Sequence, residues 1–150
     1  MLATASIIAM VFFIIFFVVQ SAVYSQIDRE LAYEAGKHQK EIFIKNDSII
    51  FIHKDEWAER EHREVQVNPV FIQIVSPTGK LMDKSPNLKE GNLLFSGADK
   101  IDNHFDTQLN SQVVRQIQLP LKQDGSLKGY ILAALSLDGA IIVITSLKKT

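Results

Sequence analysis

The first part of the chain is an apolar run that no charged residue interrupts. The stretch from Leu2 to Val19 is apolar apart from one threonine and one serine, and the first charged residue is Asp28. Extended to Val23 as a helix, the run measures roughly 33 Å at about 1.5 Å per residue, against a hydrocarbon core of about 30 Å. A cleaved signal peptide would have a shorter apolar core, of about 7–15 residues, behind a basic segment that is missing here. The pattern therefore predicts a transmembrane helix over residues 1–23.

A second helical pattern begins where the apolar run ends. Side chains suited to one buried face recur at intervals of three or four residues, and charged residues lie between them. The recurring positions are Tyr24, Ile27, Leu31, Ala35, His38 and Ile42. Because no proline lies between Val23 and Ile44, we expect the membrane helix to continue into this stretch as one rod that transmits displacement. The stripe Ile27, Leu31, Ala35, His38 and Ile42 is too short to distinguish packing on the domain's own sheet from a dimer seam.

Two β-hairpins are predicted further along the chain. The β-branched run from Val70 to Val75 is followed by Ser-Pro-Thr-Gly and then by residues 80–84, a composition that favours a hairpin with a type I turn. Residues 113–121 and 127–135 form the arms of a second hairpin, whose connection contains Asp124-Gly125. These strands give the soluble part an antiparallel sheet.

The final segment predicts an exit helix. Ser136 stands at an N-cap position, Asp138 lies in the first turn, and residues 140–147 continue helically. A second membrane span from Tyr130 to Leu147 is disfavoured, because Asp138 near its middle would cost about 2.5–3.5 kcal/mol. A strand followed by a helix is therefore predicted.

The other segments give weaker signals. Residues 49–52 form a short apolar run, and the charged stretch 53–65 predicts an exposed helix. Residues 85–92 are rich in turn formers, and the stretch to Gln112 is polar with isolated apolar residues, which predicts irregular structure.

Composition excludes several kinds of chemistry. There is no cysteine, and 16 basic and 17 acidic residues are mixed along the chain, so neither thiolate sites nor nucleic-acid binding is expected. His62 lies three residues from Glu59, but mixed charges at this spacing are typical of a solvated helix, and no metal or other cofactor is predicted. No GxSxG or HExxH pattern supports an anchored hydrolase.

The order of these elements resembles the extracytoplasmic part of a bacterial two-component sensor histidine kinase. The segments that carry the resemblance are YSQIDREL (24–31), EWAEREH (56–62), NPVFIQIVSPTGKLMDKSPNL (68–88), RQIQLPL (115–121) and GYILAALSLD (129–138). The resemblance implies an α+β fold: a transmembrane helix continuing into a long helix, then a PAS-like, or PDC-type, antiparallel sheet of hairpins with a C-terminal exit helix. Residues 1–23 would be the transmembrane helix, 24–147 the extracytoplasmic PAS-like sensor domain, and 148–150 the start of a second span or linker.

The same resemblance implies a non-catalytic sensor input in the bacterial cytoplasmic (inner) membrane, with the lipid bilayer, a homodimer, a kinase module and a response regulator as partners. Histidine autophosphorylation would belong to that kinase module, because neither a phosphoacceptor pattern around His62 nor a glycine-rich phosphate loop occurs here. Arg115 and Tyr130, on paired hairpin arms, are candidates for binding an unknown ligand, although either is equally typical of an ordinary sheet residue. A pilin-like membrane-anchored structural subunit is the alternative. However, neither the glycine cleavage site nor the early glutamate expected of a pilin occurs in the apolar run.

Overall fold

The computed structural model describes residues 2–45, 48–51 and 70–148. It begins with one uninterrupted helix, α1 (Leu2–Glu41), of 40 residues. Apart from Phe16, the large apolar side chains from Ile7 to Val18 are exposed, whereas Leu31 and Ala35 are fully buried. The prediction of one continuous rod is confirmed. The first part of α1 is long and apolar enough to cross a membrane, a property that a signal sequence shares.

α1 ends one residue earlier than the predicted stripe, at the point where the helical period changes to the two-residue period of a strand. The predicted stripe included Ile42 in the helix, but α1 ends at Glu41, and Ile42 begins strand β1 (Ile42–Lys45). β1 pairs antiparallel with β2 (Ser48–Phe51), which places Ile42 opposite Phe51. Side chains along β1 alternate between buried and exposed, the two-residue period of a strand. The β-branched isoleucines at 42 and 44 fit this pleated surface better than a further helical turn.

A five-stranded antiparallel sheet forms the body of the fold. Its strands are β3 (Phe71–Val75), β4 (Leu81–Lys84), β5 (Phe105–Leu109), β6 (Gln112–Gln123) and β7 (Ser126–Ser136). Their spatial order is β4-β3-β7-β6-β5. A long helix and this antiparallel sheet confirm the predicted α+β class.

Both predicted hairpin turns are present. The Ser76 carbonyl accepts a hydrogen bond from the Gly79 N–H at 2.9 Å, and Gly79 has φ of 86°, a left-handed conformation that glycine adopts without steric cost. Asp124 and Gly125 both have positive φ, 49° and 75°, as the central pair of a type I′ turn requires. Strands β6 and β7 extend closer to this turn than the predicted arms.

The predicted irregular stretch from residue 93 to 112 contains a strand that the sequence interpretation missed. β5 pairs with β6 along its whole length, from Phe105 opposite Gln116 to Leu109 opposite Gln112. Its side chains alternate in exposure, as in any strand at the edge of a sheet. The turn-rich prediction for residues 85–92 holds, since a short 3₁₀ turn covers Pro86–Leu88.

The last element is helix α2 (Asp138–Lys148), which confirms the predicted strand followed by a helix. Ser136 is the last residue of β7, and its hydroxyl accepts a hydrogen bond from the Asp138 N–H at 3.2 Å. Asp138 lies in the first turn of α2, where the helix dipole favours a carboxylate. α2 packs against α1.

The sheet has two differently covered faces. On the helix face, α1 packs through Leu31 and Ala35, and the β1–β2 hairpin packs through Ile42 and Ile44. Residues of this face are Ile72, Ile74, Arg115, Ile117, Leu121, Ile131, Ala133 and Leu135. On the opposite, segment face lie Phe71, Gln73, Val75, Val114, Gln116, Gln118, Tyr130, Leu132 and Ala134. That face is covered by residues 85–104, through Leu88, Leu93, Phe95 and Ile101.

Three buried glutamines hold the covering segment on the segment face. Gln73 accepts from the Leu93 N–H at 2.7 Å and donates to the Leu93 carbonyl at 3.4 Å. Gln116 makes the same pair of bonds with Leu94, at 3.2 and 2.6 Å. Gln118 accepts from the Ser96 N–H and donates to the Gly97 carbonyl. Each side-chain amide thus bonds to the backbone of the segment as a peptide group of a neighbouring strand would. Among the described residues, every buried side-chain polar atom has a hydrogen-bond partner.

Candidate functional site

Arg115 joins α1 to the sheet. Its Nε and Nη2 donate to the two carboxylate oxygens of Asp28 on α1, at 2.7 and 3.0 Å. Its Nη1 donates to Oδ1 of Asp106, the directly opposite residue on β5, at 2.7 Å. The side chains of Arg115 and Asp28 are only 17% and 27% exposed, so this two-pronged contact is partly shielded from water. We call Arg115, Asp28 and Asp106 the arginine clamp.

Tyr24 closes the clamp on the side nearer the predicted membrane span. Its hydroxyl donates to Asp106 Oδ2 at 3.3 Å. The guanidinium of Arg115 lies 5.2 Å from the centre of the Tyr24 ring, within the range of a cation–π contact. The clamp therefore holds α1 at two successive turns, through Tyr24 and Asp28.

The protonation of the clamp follows from its charges. Burial alone would raise the pKa of the Asp28 carboxyl. The hydrogen bonds from Arg115 and the charges of His104 and Arg115 outweigh this effect, so the pKa lies below its usual value. Hydrogen bonds to Asp28 raise the pKa of Arg115 despite its burial. Burial and the neighbouring Asp106 carboxylate raise the pKa of the Tyr24 phenol. At neutral pH the Asp28–Arg115 contact is thus an ionised carboxylate–guanidinium pair beside a neutral phenol.

An open groove of about 420 Å³ runs beside the clamp. One wall is a face of α1, and the other is His104, from the segment that leads into β5. The lining residues are Ser21, Tyr24, Ser25, Asp28, Arg29, Ala32 and His104. His104 Nε2 lies 3.0 Å from the Asp28 carbonyl oxygen, and because a carbonyl only accepts, Nε2 carries the proton. Hereafter we call this space the juxtamembrane groove.

The predicted stripe of α1 packs on the domain's own sheet. Ile27, Leu31 and Ala35 contact Ile117, Ala133 and Leu135 of β6 and β7. His38 is also buried, with its ring nitrogens 3.9 and 3.5 Å from carboxylates of Glu34 and Glu41 on the same helix. Of the two alternatives for the stripe, the structure shows sheet packing, so this face of α1 is not available as a dimer seam.

The two candidate ligand residues lie on opposite faces of the sheet. Arg115 points to the helix face, where it forms the clamp. Tyr130 is 4% exposed on the segment face, with its ring centre 5.3 Å from that of Phe95. They therefore do not line one pocket. Tyr130 is part of the core, and Arg115 contacts residues of this chain rather than open space.

The sequence predicts no metal site, and the histidine and carboxylate that it considers for one lie outside the described residues. Within residues 2–45, 48–51 and 70–148, no group of three or more His, Cys, Asp or Glu side chains is placed to hold a metal ion. His62, Glu59 and the exposed helix predicted over residues 53–65 lie outside the described residues.

Sequence reasoning singled out Arg115 but not its partners. Asp28 is 87 residues away, so no local spacing connects the two. Asp106 lies on the strand that was interpreted as irregular, and Tyr24 was assigned only to the amphipathic stripe. One signal was available: an arginine in the middle of an apolar strand needs a carboxylate partner when the strand is covered.

Comparisons with family models, with curated proteins and with solved structures find no match to this chain. The site is therefore interpreted from its own geometry.

Proposed function

We propose that this chain is the signal-input segment of a membrane-bound two-component sensor histidine kinase, non-catalytic by itself, whose soluble domain lies outside the cytoplasm. The observation that carries the proposal is the different exposure of the two halves of α1. One helix has an exposed apolar first half, suited to a bilayer, and a second half that is buried on the sheet. Because no break separates the halves, a shift of the domain displaces the membrane-spanning part with it.

The arginine clamp supports this mechanical role. Apolar packing at Leu31 and Ala35 holds α1 against the sheet but is non-directional. The two bonds from Arg115 to Asp28 are directional and fix the rotation of α1 about its axis. The clamp also ties α1 to edge strand β5 through Asp106. A stimulus that moves β5 or β6 would therefore reach α1 directly.

The layout of the sheet adds support. Counted along the chain within the main sheet, the strands lie in the order second, first, fifth, fourth, third. This order is similar to that of PAS-like domains. α2 leaves β7 and packs against α1, an arrangement that suits two helices returning together toward a membrane.

The proposal includes the partners implied by the family resemblance: a homodimer, a kinase module in the parent chain, and a response regulator. A dimer contact along α1 would use the side opposite the buried stripe, where Tyr33 is 70% exposed. The bacterial cytoplasmic membrane would contain the span, and the sheet domain would face away from the cytoplasm.

The coding sequence beyond Thr150 tests the class directly. We expect a second apolar span followed by a phosphoacceptor histidine and a nucleotide-binding domain. A stop codon immediately after Thr150 would contradict the kinase assignment and favour the pilin-like structural subunit.

Orientation can be tested with a single cysteine, since the chain has none of its own. Ser111 is exposed in the tight turn between β5 and β6, so Ser111→Cys provides an accessible thiol. In intact cells this variant should react with a membrane-impermeant maleimide. Labelling that occurs only after lysis would place the domain in the cytoplasm and contradict the proposal.

Alanine insertions after Val23 test the transmission mechanism. This position precedes both Tyr24, which contacts the clamp, and the packed stripe, so an insertion rotates the span relative to the domain without altering that stripe. One alanine gives about 100° of rotation, and four give about 400°, close to a full turn. The resting kinase activity of the parent protein should change with one or two alanines and partly return with four. If insertions of one, two and four alanines all leave activity unchanged, α1 is only a tether.

A further inference from the structure

We propose that the juxtamembrane groove binds the phosphate of an anionic phospholipid headgroup through Arg29, Ser25 and Ser21, with His104 on the opposite wall beside it. The inference rests on the proposed membrane anchoring of α1. It assigns a ligand class to a site that the signalling mechanism itself does not require.

The depth of the groove matches the headgroup layer. The predicted span ends at Val23, and Ser25 lies two residues further along α1, about 3 Å beyond it at about 1.5 Å per residue. The interfacial layer on each side of a bilayer is about 5–7 Å thick, from a total of about 40–45 Å and a core of about 30 Å. Ser21 and Ser25 therefore flank the level at which lipid phosphates lie.

Arg29 reaches back toward this level. Side chains on a helix tilt toward its N-terminus, here the membrane side. The Nη1 of Arg29 donates to the Ser25 hydroxyl at 2.5 Å, which places the guanidinium about one turn nearer the span than its own Cα. An arginine at a membrane surface keeps its charge in the headgroup layer in this way. Its planar fork is suited to a phosphate because two N–H groups can bind two oxygens.

The clamp removes the main obstacle to an anion. Asp28 also lines the groove, and a free carboxylate there would repel a phosphate. Both of its oxygens are bound by Arg115, whose guanidinium compensates the charge of the carboxylate. The formal charges of Arg115 and Arg29 together balance those of Asp28 and Asp106. The groove thus has hydroxyl and guanidinium donors without uncompensated negative charge.

A bound headgroup would bridge the two walls of the groove. Arg29 and Ser25 belong to α1, whereas His104 belongs to the segment that leads into β5. A headgroup bound to Arg29 and Ser25 would also contact His104 across the groove, and would so add a second contact between α1 and the sheet domain, parallel to the arginine clamp. Lipid composition would then set how tightly the span follows the domain.

Native mass spectrometry of the full chain in a zwitterionic detergent tests the proposal. The probes are phosphatidylglycerol and phosphatidylcholine with the same acyl chains, each titrated against the protein. We expect phosphatidylglycerol to be retained in preference to phosphatidylcholine. Arg29→Gln should weaken that retention about tenfold, which is the size of one lost charge-assisted hydrogen bond.

Two further variants make the test specific. Ser25→Ala should weaken phosphatidylglycerol retention less than Arg29→Gln. Lys40→Gln, an exposed position on α1 eleven residues beyond Arg29, removes the same charge far from the membrane and should leave retention unchanged. Circular dichroism of each variant checks that it is folded, which is expected because Arg29 and Lys40 are exposed.

Three results would overturn the proposal. Equal retention of the two lipids would remove the headgroup preference. Retention that is unchanged in Arg29→Gln would place the bound lipid elsewhere. Displacement of phosphatidylglycerol by an equal concentration of inorganic phosphate would identify a site for a soluble anion. None of these results affects signalling through α1, which the alanine insertions test separately.

Discussion

The two faces of the main sheet are covered by different interactions, although the same strands form both. On the helix face, α1 and the β1–β2 hairpin contribute apolar side chains to two clusters. On the segment face, an irregular stretch is held by paired hydrogen bonds from Gln73, Gln116 and Gln118 to its backbone. Apolar contact has no preferred direction, whereas each glutamine accepts and donates at fixed positions.

This difference determines what each covering element can do. A helix satisfies its own backbone groups, so apart from the directional bonds of the arginine clamp α1 is held on the sheet by apolar contact. The segment from residue 93 to 97 has no such internal bonding, so its peptide groups depend on the sheet's side chains. We therefore expect α1 to be the element that can move and residues 93–97 to be fixed in register.

The largest expected effect is loss of packing on the helix face. Leu31 is fully buried between α1 and the sheet, so Leu31→Ala leaves a cavity and should lower the free energy of unfolding by about 2–5 kcal/mol. Urea unfolding of the full chain in detergent micelles, followed by circular dichroism, measures the change. Leu94→Ala is the matched control, because that leucine is 52% exposed and should change stability little. Equal effects of the two substitutions would show that α1 is not packed as described.

The next effect concerns the segment face. Gln73→Met keeps the length of the side chain but leaves the Leu93 N–H and carbonyl without their partners, which should cost about 1–3 kcal/mol. Hydrogen exchange should accelerate at the Leu93 amide while the amides of α1 between Leu31 and His38 keep their protection. Gln108→Met, at an exposed position on β5, should change neither quantity. Acceleration spread evenly over both faces would contradict separate control of the two coverings.

The arginine clamp should contribute less, because it is partly exposed. Asp28→Asn keeps the shape of the side chain but removes the charge that Arg115 binds, and we expect a loss of about 1 kcal/mol. Glu30→Gln, at an exposed position two residues further along α1, is the control and should be neutral. A double-mutant cycle with Arg115→Gln isolates the pair. A coupling energy of zero would reduce the clamp to a surface contact without mechanical importance.

The smallest effect is the pH dependence of the clamp. The pKa of Asp28 is lowered in the folded chain, so the contact stabilises above the ordinary carboxyl pKa of about 4 and is lost as pH falls through the lower, folded value. Between pH 7 and 5 this group should therefore change stability very little, and below about 4 the unfolding free energy should fall. In Asp28→Asn the acid-dependent loss should be shallower. An identical acid profile in both proteins would assign the loss to other carboxylates.

The helix face could be predicted largely from the sequence, since its signals are local. Each signal lies within a short stretch of sequence. The signals are the apolar run, the helical period of the stripe from Ile27 to His38, and the turn residues Asp124-Gly125. The error at Ile42 occurred where a helical period changes to the two-residue period of β1. In strand β5, Phe105, Thr107 and Leu109 alternate with Asp106 and Gln108, which is a strand pattern. The polar residues on either side obscure this short alternation, so the sequence predicts irregular structure there.

The segment face and the clamp could not be predicted in the same way, because their partners are distant in sequence. Gln116 and Gln118 lie two residues apart, which places both on one face of a strand, but nothing local shows that Leu94 and Gly97 are their partners. Arg115 in its apolar strand calls for a carboxylate partner, but nothing local shows that Asp28, 87 residues away, is that partner. Pairings of this kind are set by topology.

The geometry of the arginine clamp has an evolutionary consequence. A lysine at position 115 would replace the planar fork by a point charge and could not bind both oxygens of Asp28 in the same way. We therefore expect substitutions at 28 and 115 to occur together in related chains. At Leu31 and Ile117 a change in side-chain size can be compensated at any of several neighbouring positions, so these two need not change together. An alignment in which positions 28 and 115 vary independently would argue against this. If they vary together, natural selection has acted on the pair as one heritable character.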